Sequence, residues 1–233
     1  MSLSVAVFKN NPDFPTDKTN LIFKIFENLK KFRDINCGYD IFVDKQIPIS
    51  AGLAGGSSNA CEFLMYVNYD LSLNLSDQEI KEICRLTGAD TFYFTNKKCV
   101  RAKGIGNKFV RLSDFSNKNI IIVNNGMSIS SKDVYDNLKE SKGGLGKVSV
   151  AIDSRDYETF YRKAFNTMES VSEKLVEEIS IIKEQLYELG ANLTLMSGSG
   201  PTVFGIFENY NDYEDCYNKL KDKYKYVFKT KTL

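Results

Sequence analysis

The sequence predicts an α+β fold in two parts, read as domains at 1–116 and 117–233. Three observations carry this expectation. Helical and strand-like hydrophobic periods interleave in both halves instead of segregating. Each half carries a glycine-rich motif beside predicted elements, IPISAGLAGGSSNA at 47–60 and MSGSGPT at 196–202. The 233 residues, 42% of them hydrophobic, are enough to enclose one large core or two small ones.

Residues 3–8 alternate well enough for a strand, and Asp17 or Thr19 is placed to cap the helix after it. In that helix Leu21, Ile22, Ile25, Phe26, Leu29 and Phe32 fall on one face at helical spacing. Residues 39–44 read as a short half-buried strand with Ile41 and Val43 on one side. The first glycine loop follows, with Ser57, Ser58 and Asn59 just ahead of an apolar helix through Phe63, Leu64 and Val67. Ser76 and Glu79 form a capping box for a helix carrying Ile80, Ile83 and Cys84. Gly88 stands where a left-handed glycine would end that helix. GADTFYF comes next, and Lys103-Gly104-Ile105-Gly106 predicts a tight turn between strands.

In the second half, 119–123 is a continuous apolar run, the mark of a buried strand. Residues 139–148, with Gly143, Gly144 and Gly146, read as a polar flexible loop. One long helix is predicted over 171–189, with Leu175, Ile179, Ile182, Leu186 and Leu189 inside and Gly190 as its stop. Strands at 193–196 and 203–207 flank the second glycine loop. A helix near 212–224 and a strand at 226–229 finish the chain.

Composition excludes several chemistries. With 31 basic and 30 acidic side chains, nothing points to nucleic acid or an anionic membrane as partner. There is no histidine, which removes Ser-His-Asp and Cys-His triads, imidazole bases and imidazole metal ligands. Proton transfer must then fall to a carboxylate, lysine, tyrosine or cysteine. Cys37, Cys61, Cys84, Cys99 and Cys216 are odd in number and contain no C-x-x-C pair. Neither a zinc knuckle nor a disulfide framework is expected, and a reducing, cytoplasmic setting fits. The opening MSLSVAVFKNNPDF lacks a basic n-region and a long apolar run, so no signal peptide is expected. No stretch of about 18 apolar residues predicts a membrane span.

Three segments carry the chemistry. In Pro48-Ile49-Ser50-Ala51-Gly52-Leu53-Ala54-Gly55-Gly56-Ser57-Ser58, the glycines admit a bulky anion against the main chain. The free N–H groups of the helix start then favour a phosphate. The hydroxyls of Ser57 and Ser58 can add hydrogen bonds or reach a metal bound with it. An ordinary glycine turn with a serine cap is the plain alternative. The loop lacks G-K-[S/T] and no G-x-G-x-x-G opens a helix after a strand, so two common nucleotide motifs are absent. Ser197-Gly198-Ser199-Gly200-Pro201-Thr202 is a second candidate loop, with a glycine hairpin as its plain reading. Asp90, between Gly88-Ala89 and an aromatic run, can accept a hydroxyl proton, or be a solvated turn aspartate.

Together these segments resemble the GHMP small-molecule kinases, in order along essentially the whole chain. IPISAGLAGGSSNA is similar to the family's ATP-binding motif, with Ala54 where many members have glycine. GADTFYF is similar to its Gly-Ala-Asp motif, with Thr91 and Phe92 where valine and proline are usual. MSGSGPTVFGIF is similar to its third motif. Lesser echoes are Thr19-Asn20-Leu21-Ile22, Lys103-Gly104-Ile105-Gly106 and Phe165-Asn166. The resemblance implies a two-domain α+β fold, with 1–116 as the ATP-binding domain. It implies ATP with Mg²⁺ cradled by 48–58, Ser57 or Ser58 reaching the magnesium, and Asp90 as catalytic aspartate. Gly198, Ser199 and Gly200 would support the phosphate and the substrate.

The implied reaction is phosphorylation of a hydroxyl on a small molecule. The nearest branch acts on a cytidine-diphosphate-linked methylerythritol in non-mevalonate isoprenoid synthesis, as a monomer or homodimer. Family chains open with a lysine-bearing strand and an Asp-Gly-Tyr-His segment. Neither has a counterpart in these 233 residues, so the N-terminal domain is expected to be incomplete at its start. Loss of the proline at Phe92 is expected to free the backbone there. Two alternatives stand beside the main reading: the same fold acting on another small alcohol, as mevalonate and homoserine kinases do, or a nucleotide-binding relative without catalysis.

Overall fold

The structure is a computed structural model that describes residues 5–96, 98–104, 106–138 and 145–233. Leu3 and Ser4 of the predicted first strand, Ile105 of the predicted turn and 139–144 of the predicted loop lie outside the described residues. The chain forms two compact units. One contains the chain up to Ile49 together with Ala54–Arg111, the other Ser50–Leu53 together with Leu112–Leu233.

In the first unit, β1 (Val5–Lys9) pairs in parallel with β2 (Tyr39–Val43), Val7 opposite Ile41. Helix α1 (Leu21–Leu29) connects them. Its cap is Asn20, whose side-chain oxygen accepts from the Ile22 N–H at 2.9 Å, and not Asp17 or Thr19. The reason is local: the Asp17 carboxylate is spent on the N–H and hydroxyl of Thr19, closing the turn before the helix. Ile22, Ile25, Phe26 and Leu29 are buried as their spacing requires, and pack with Leu64 and Val67 of α2 (Gly55–Asp70) and Ile80 and Ile83 of α3 (Asp77–Thr87).

Both bonds of the Ser76–Glu79 capping box are present at the start of α3. Gly88 ends the helix with an extended backbone, φ −178°, where a left-handed glycine was expected. The chain runs straight on into a 3₁₀ helix at Thr91–Thr95, so no left-handed reversal is needed. Phe92, where the family's proline is usual, lies in this 3₁₀ helix. Its ring stacks on Phe109 at 5.1 Å, which anchors the 3₁₀ helix to β4 (Lys108–Arg111). That strand pairs antiparallel with β3 (Val100–Lys103), Lys103 opposite Lys108, around the predicted turn.

In the second unit, β5 (Asn119–Asn124), β6 (Leu193–Met196), β7 (Val203–Phe207) and β8 (Tyr226–Lys231) form an antiparallel sheet of order β6-β7-β5-β8. Helices α8 (Glu178–Glu188) and α9 (Tyr210–Leu220) pack on it. Ile179, Ile182, Leu186, Ile121, Val123, Phe207 and Cys216 form the core between them. Three short helices, α4 (Ser131–Asp136), α5 (Leu145–Asp153) and α6 (Tyr157–Lys163), were not predicted, and 145–148, expected in a flexible loop, open α5.

The single helix predicted over 171–189 is two, α7 (Glu169–Leu175) and α8. Val176 breaks it in an extended conformation, φ −141° and ψ 97°. The break buries Val176 and leaves Leu175 50% exposed, the reverse of what one unbroken apolar stripe would do. Gly190 ends α8 as expected. At φ +97° it makes the left-handed turn in which the Ala191 N–H reaches the Leu186 carbonyl and the Gly190 N–H reaches Tyr187.

Candidate functional site

The first glycine loop is divided between the units. Pro48, Ile49 and Ala54 to Ser58 belong with the first, Ser50, Ala51, Gly52 and Leu53 with the second. In the first unit, Ala54 is the N-cap of α2 in the left-handed conformation, φ 49°, and no side chain caps the helix. Helix α2 therefore begins at Gly55, within the stretch the sequence assigned to the loop, and Ser57 and Ser58 lie inside its first turn. The first bond of the ladder runs from the Ser58 N–H to the Ala54 carbonyl at 3.0 Å. The N–H groups of 55–57 point out of a helix start that has neither a cap nor an acidic side chain in its first turn. Ser57 is almost buried and Ser58 half-buried.

Lys45 stands over this helix start. A Cβ added at Gly55 would lie 3.0 Å from the Lys45 Nζ. Burial pushes the Lys45 ammonium pKa down from its ordinary value. Among the described residues Lys45 makes no ion pair, so its charge is available to a bound anion. Sequence reasoning missed it because it precedes the loop. The signal that could have found it is the lone cation two residues before Ile47, where β2 has just ended.

Asp90 precedes the 3₁₀ helix, exposed and with no side-chain capping bond. Leu21 relates it to α2. Its Cδ1 would lie 3.5 Å from a Cβ at Gly56 and 3.9 Å from one at Gly88. Two glycines, one in the first turn of α2 and one two residues before Asp90, thus pack on one leucine side chain. The 3₁₀ helix also packs against α2. Between them, these contacts pack the segment that carries Asp90 against α2 within the first unit. Thr91, next to Asp90, is fully buried, and its hydroxyl has no hydrogen-bond partner among the described residues.

In the second unit, the residues from Met196 to Thr202 form a closed loop between β6 and β7, with the Ser197 N–H bonded to the Thr202 carbonyl at 2.8 Å. Gly52 sits against it. The Ser197 hydroxyl donates to the Gly52 carbonyl at 2.9 Å. A Cβ on Gly52, whose φ is +75°, would meet the Ser197 carbonyl at 2.2 Å and the Gly200 backbone at 3.0 Å. Only glycine fits so close an approach in that conformation. Gly198 and Gly200, predicted to act with the first loop, are therefore packed on its central residue. Ser199 is turned away, buried and hydrogen-bonded to Ser131 at 2.7 Å.

Among the described residues no helix is long and apolar enough to cross a membrane. The same residues hold no group of three histidine, cysteine, aspartate or glutamate side chains suited to a metal ion.

The models for the GHMP kinases N-terminal domain and the GHMP kinases C-terminal region match residues 20–97 and 148–225. A 4-diphosphocytidyl-2-C-methyl-D-erythritol kinase of Finegoldia magna is 90% identical over 224 residues, 96% of this chain and 81% of that protein. The enzyme of the same name from Clostridium beijerinckii is 37% identical over 94% of this chain and 80% of its own length. Among solved structures, a 4-(cytidine 5'-diphospho)-2C-methyl-D-erythritol kinase superposes with a TM-score of 0.78 at 22% identity, covering 98% of this chain and 82% of that one. Homoserine kinase from Cytophaga hutchinsonii reaches 0.80 at 15% identity, covering 99% and 81%, so the two share the fold. With nine residues in ten identical to a curated member over nearly its whole length, and both domain models matched in order, the chain belongs to the GHMP kinase family.

Proposed function

We propose that the chain transfers the terminal phosphoryl group of MgATP to a hydroxyl of 4-diphosphocytidyl-2-C-methyl-D-erythritol, in non-mevalonate isoprenoid precursor biosynthesis. The observation that supports the reading is the shared packing of Gly56 and Gly88 on Leu21, which brings the segment carrying Asp90 against the helix whose start is uncapped. The 90% identical kinase of Finegoldia magna supports the choice of substrate.

Each residue then has a task. The N–H groups of 55–57 and the Lys45 ammonium hold the phosphates of ATP and stabilise charge on the phosphoryl oxygens as it moves. Lys45 acts as a compact point charge. The Ser57 and Ser58 hydroxyls are hard oxygen donors suited to the magnesium that arrives with ATP. The alcohol oxygen forms its bond to the γ-phosphorus while its proton passes to the Asp90 carboxylate. The bond from that phosphorus to the bridging oxygen breaks and ADP leaves. Gly198 and Gly200 keep Gly52, and with it the 50–53 stretch, in shape. Residues 1–116 form the nucleotide-binding domain in this reading, and 117–233 the second domain. Cysteines joined by no disulfide among the described residues suit work in a reducing cytoplasm.

Steady-state assay of ADP release with the cytidyl alcohol, mevalonate and homoserine tests the proposal. Turnover is expected with the cytidyl alcohol, and background with the other two. Turnover with mevalonate or homoserine alone overturns the substrate assignment. No turnover with any alcohol, while MgATP still binds, overturns the catalytic one.

A further inference from the structure

Asn166 follows α6 and takes no part in the chemistry described above, yet its single side chain makes three bonds. Its amide nitrogen donates to the Met196 carbonyl at 2.8 Å and to the Gly198 carbonyl at 2.7 Å. Its oxygen accepts from the Met168 N–H at 2.9 Å. Both amide protons and the amide oxygen are therefore engaged, which no other side chain of similar size can reproduce. The two carbonyls belong to the loop that receives Gly52. Between them lies Ser197, whose hydroxyl holds the Gly52 carbonyl at 2.9 Å and whose own carbonyl would touch a Cβ there. Neighbouring contacts continue the clamp: the Glu169 carboxylate accepts from the Met196 N–H at 2.6 Å, and the Ser172 hydroxyl donates to the Ser199 carbonyl at 3.0 Å.

We propose that Asn166 is a positioning residue for nucleotide binding: it fixes the Met196 and Gly198 carbonyls and so holds the 197–200 loop in the shape that seats the main chain of Gly52. The inference rests on the reading of 48–58 as the ATP loop. It adds that affinity for the nucleotide is set partly from a residue outside every glycine motif. Asn166 has no part in moving the proton or the phosphoryl group, so its loss should act on binding and spare the chemical step.

Calorimetric titration of a non-hydrolysable MgATP analogue, paired with steady-state kinetics, tests this on the full chain. Asn166→Ala deletes all three bonds. Asn166→Asp keeps the acceptor for Met168 but sets a carboxylate against two carbonyl oxygens. Both variants should weaken nucleotide affinity about tenfold, raise the KM for ATP by the same factor and leave kcat within about threefold. Ser197→Ala, which removes only the bond to Gly52, should weaken affinity in the same direction even if the Asn166 variants fail to fold. Ser76→Ala, on a helix cap away from the loop, should lower the melting temperature without changing affinity. Unchanged affinity in a folded Asn166 variant or in Ser197→Ala, or a loss of kcat at constant KM, overturns the assignment. Wild type that binds no nucleotide overturns the proposed function itself; wild type that binds, with variants that bind equally, overturns only the role of Asn166.

Discussion

Thr91 shows how closely a single side chain can be read. Its hydroxyl is buried with no hydrogen-bond partner among the described residues, a burden of about 1–3 kcal/mol. Thr91→Val removes the hydroxyl at nearly constant shape, so it should stabilise the protein by about 1 kcal/mol, measured by urea unfolding. Lys45 is the opposite case, a charged group whose burial lowers its pKa and which pairs with no acid among the described residues. Lys45→Met keeps the aliphatic stem packed and removes the charge. It should raise the KM for ATP at least tenfold and leave the melting temperature unchanged or higher. A fall in stability with normal KM would mean the ammonium is structural. The candidate residues Asp90 and 48–58 stand out in the sequence because their glycines, hydroxyls and carboxylate lie in contiguous, unusual strings. Lys45 does not, for its importance is created by where the chain returns, over Gly55; Asn166 shows only as a faint family echo, thirty residues from the loop it clamps. Leu21 is visible in the sequence on the apolar face of α1 and in a faint motif, but not as the contact shared by Gly56 and Gly88.

Among the elements, α3 is the one whose start the sequence specifies most fully. Ser76 and Glu79 cap it reciprocally, and Arg33 holds the Glu79 carboxylate from α1's side through two hydrogen bonds. That arginine, with the Ser76 N–H and hydroxyl, keeps the Glu79 pKa down at about 2. The native pKa lies below the unfolded one, so the contribution is complete above about pH 4.5 and is lost as pH falls toward 2. Ser76→Ala should cost about 1 kcal/mol at neutral pH. Glu79→Gln should lower the melting temperature at pH 7, with the gap to wild type closing progressively between pH 4.5 and 2. A gap that persists at pH 2 would show that charge is not its source. Capping boxes and helix-ending glycines were readable because they are local chemistry, as Ser76 and Gly190 show. The α7–α8 break was not, because Leu175 keeps perfect helical phase with Ile179 and only tertiary packing prefers to bury Val176. The start of α2 was misplaced for a related reason: Gly55 and Gly56 are poor helix formers, and the left-handed Ala54 before them breaks the usual rule for a cap.

At the scale of the whole molecule, the interleaved periodicities gave the α+β class, and the sheet of the second unit has its strands where the apolar runs put them. The antiparallel order β6-β7-β5-β8 lay beyond sequence reach, because β5 pairs with strands some eighty to a hundred residues away. Family membership makes the chain a kinase relative; the claim that remains to be tested is that these residues move phosphate from ATP to one particular alcohol through Asp90. Phosphorus NMR of the products tests it most directly. With MgATP and 4-diphosphocytidyl-2-C-methyl-D-erythritol, wild type should yield one new phosphomonoester resonance for each ADP formed, with the cytidine diphosphate signals retained. Asp90→Asn should slow its appearance by about 100-fold or more while the fold stays intact. ADP formed without a phosphomonoester, or an unchanged rate in Asp90→Asn, would contradict the account.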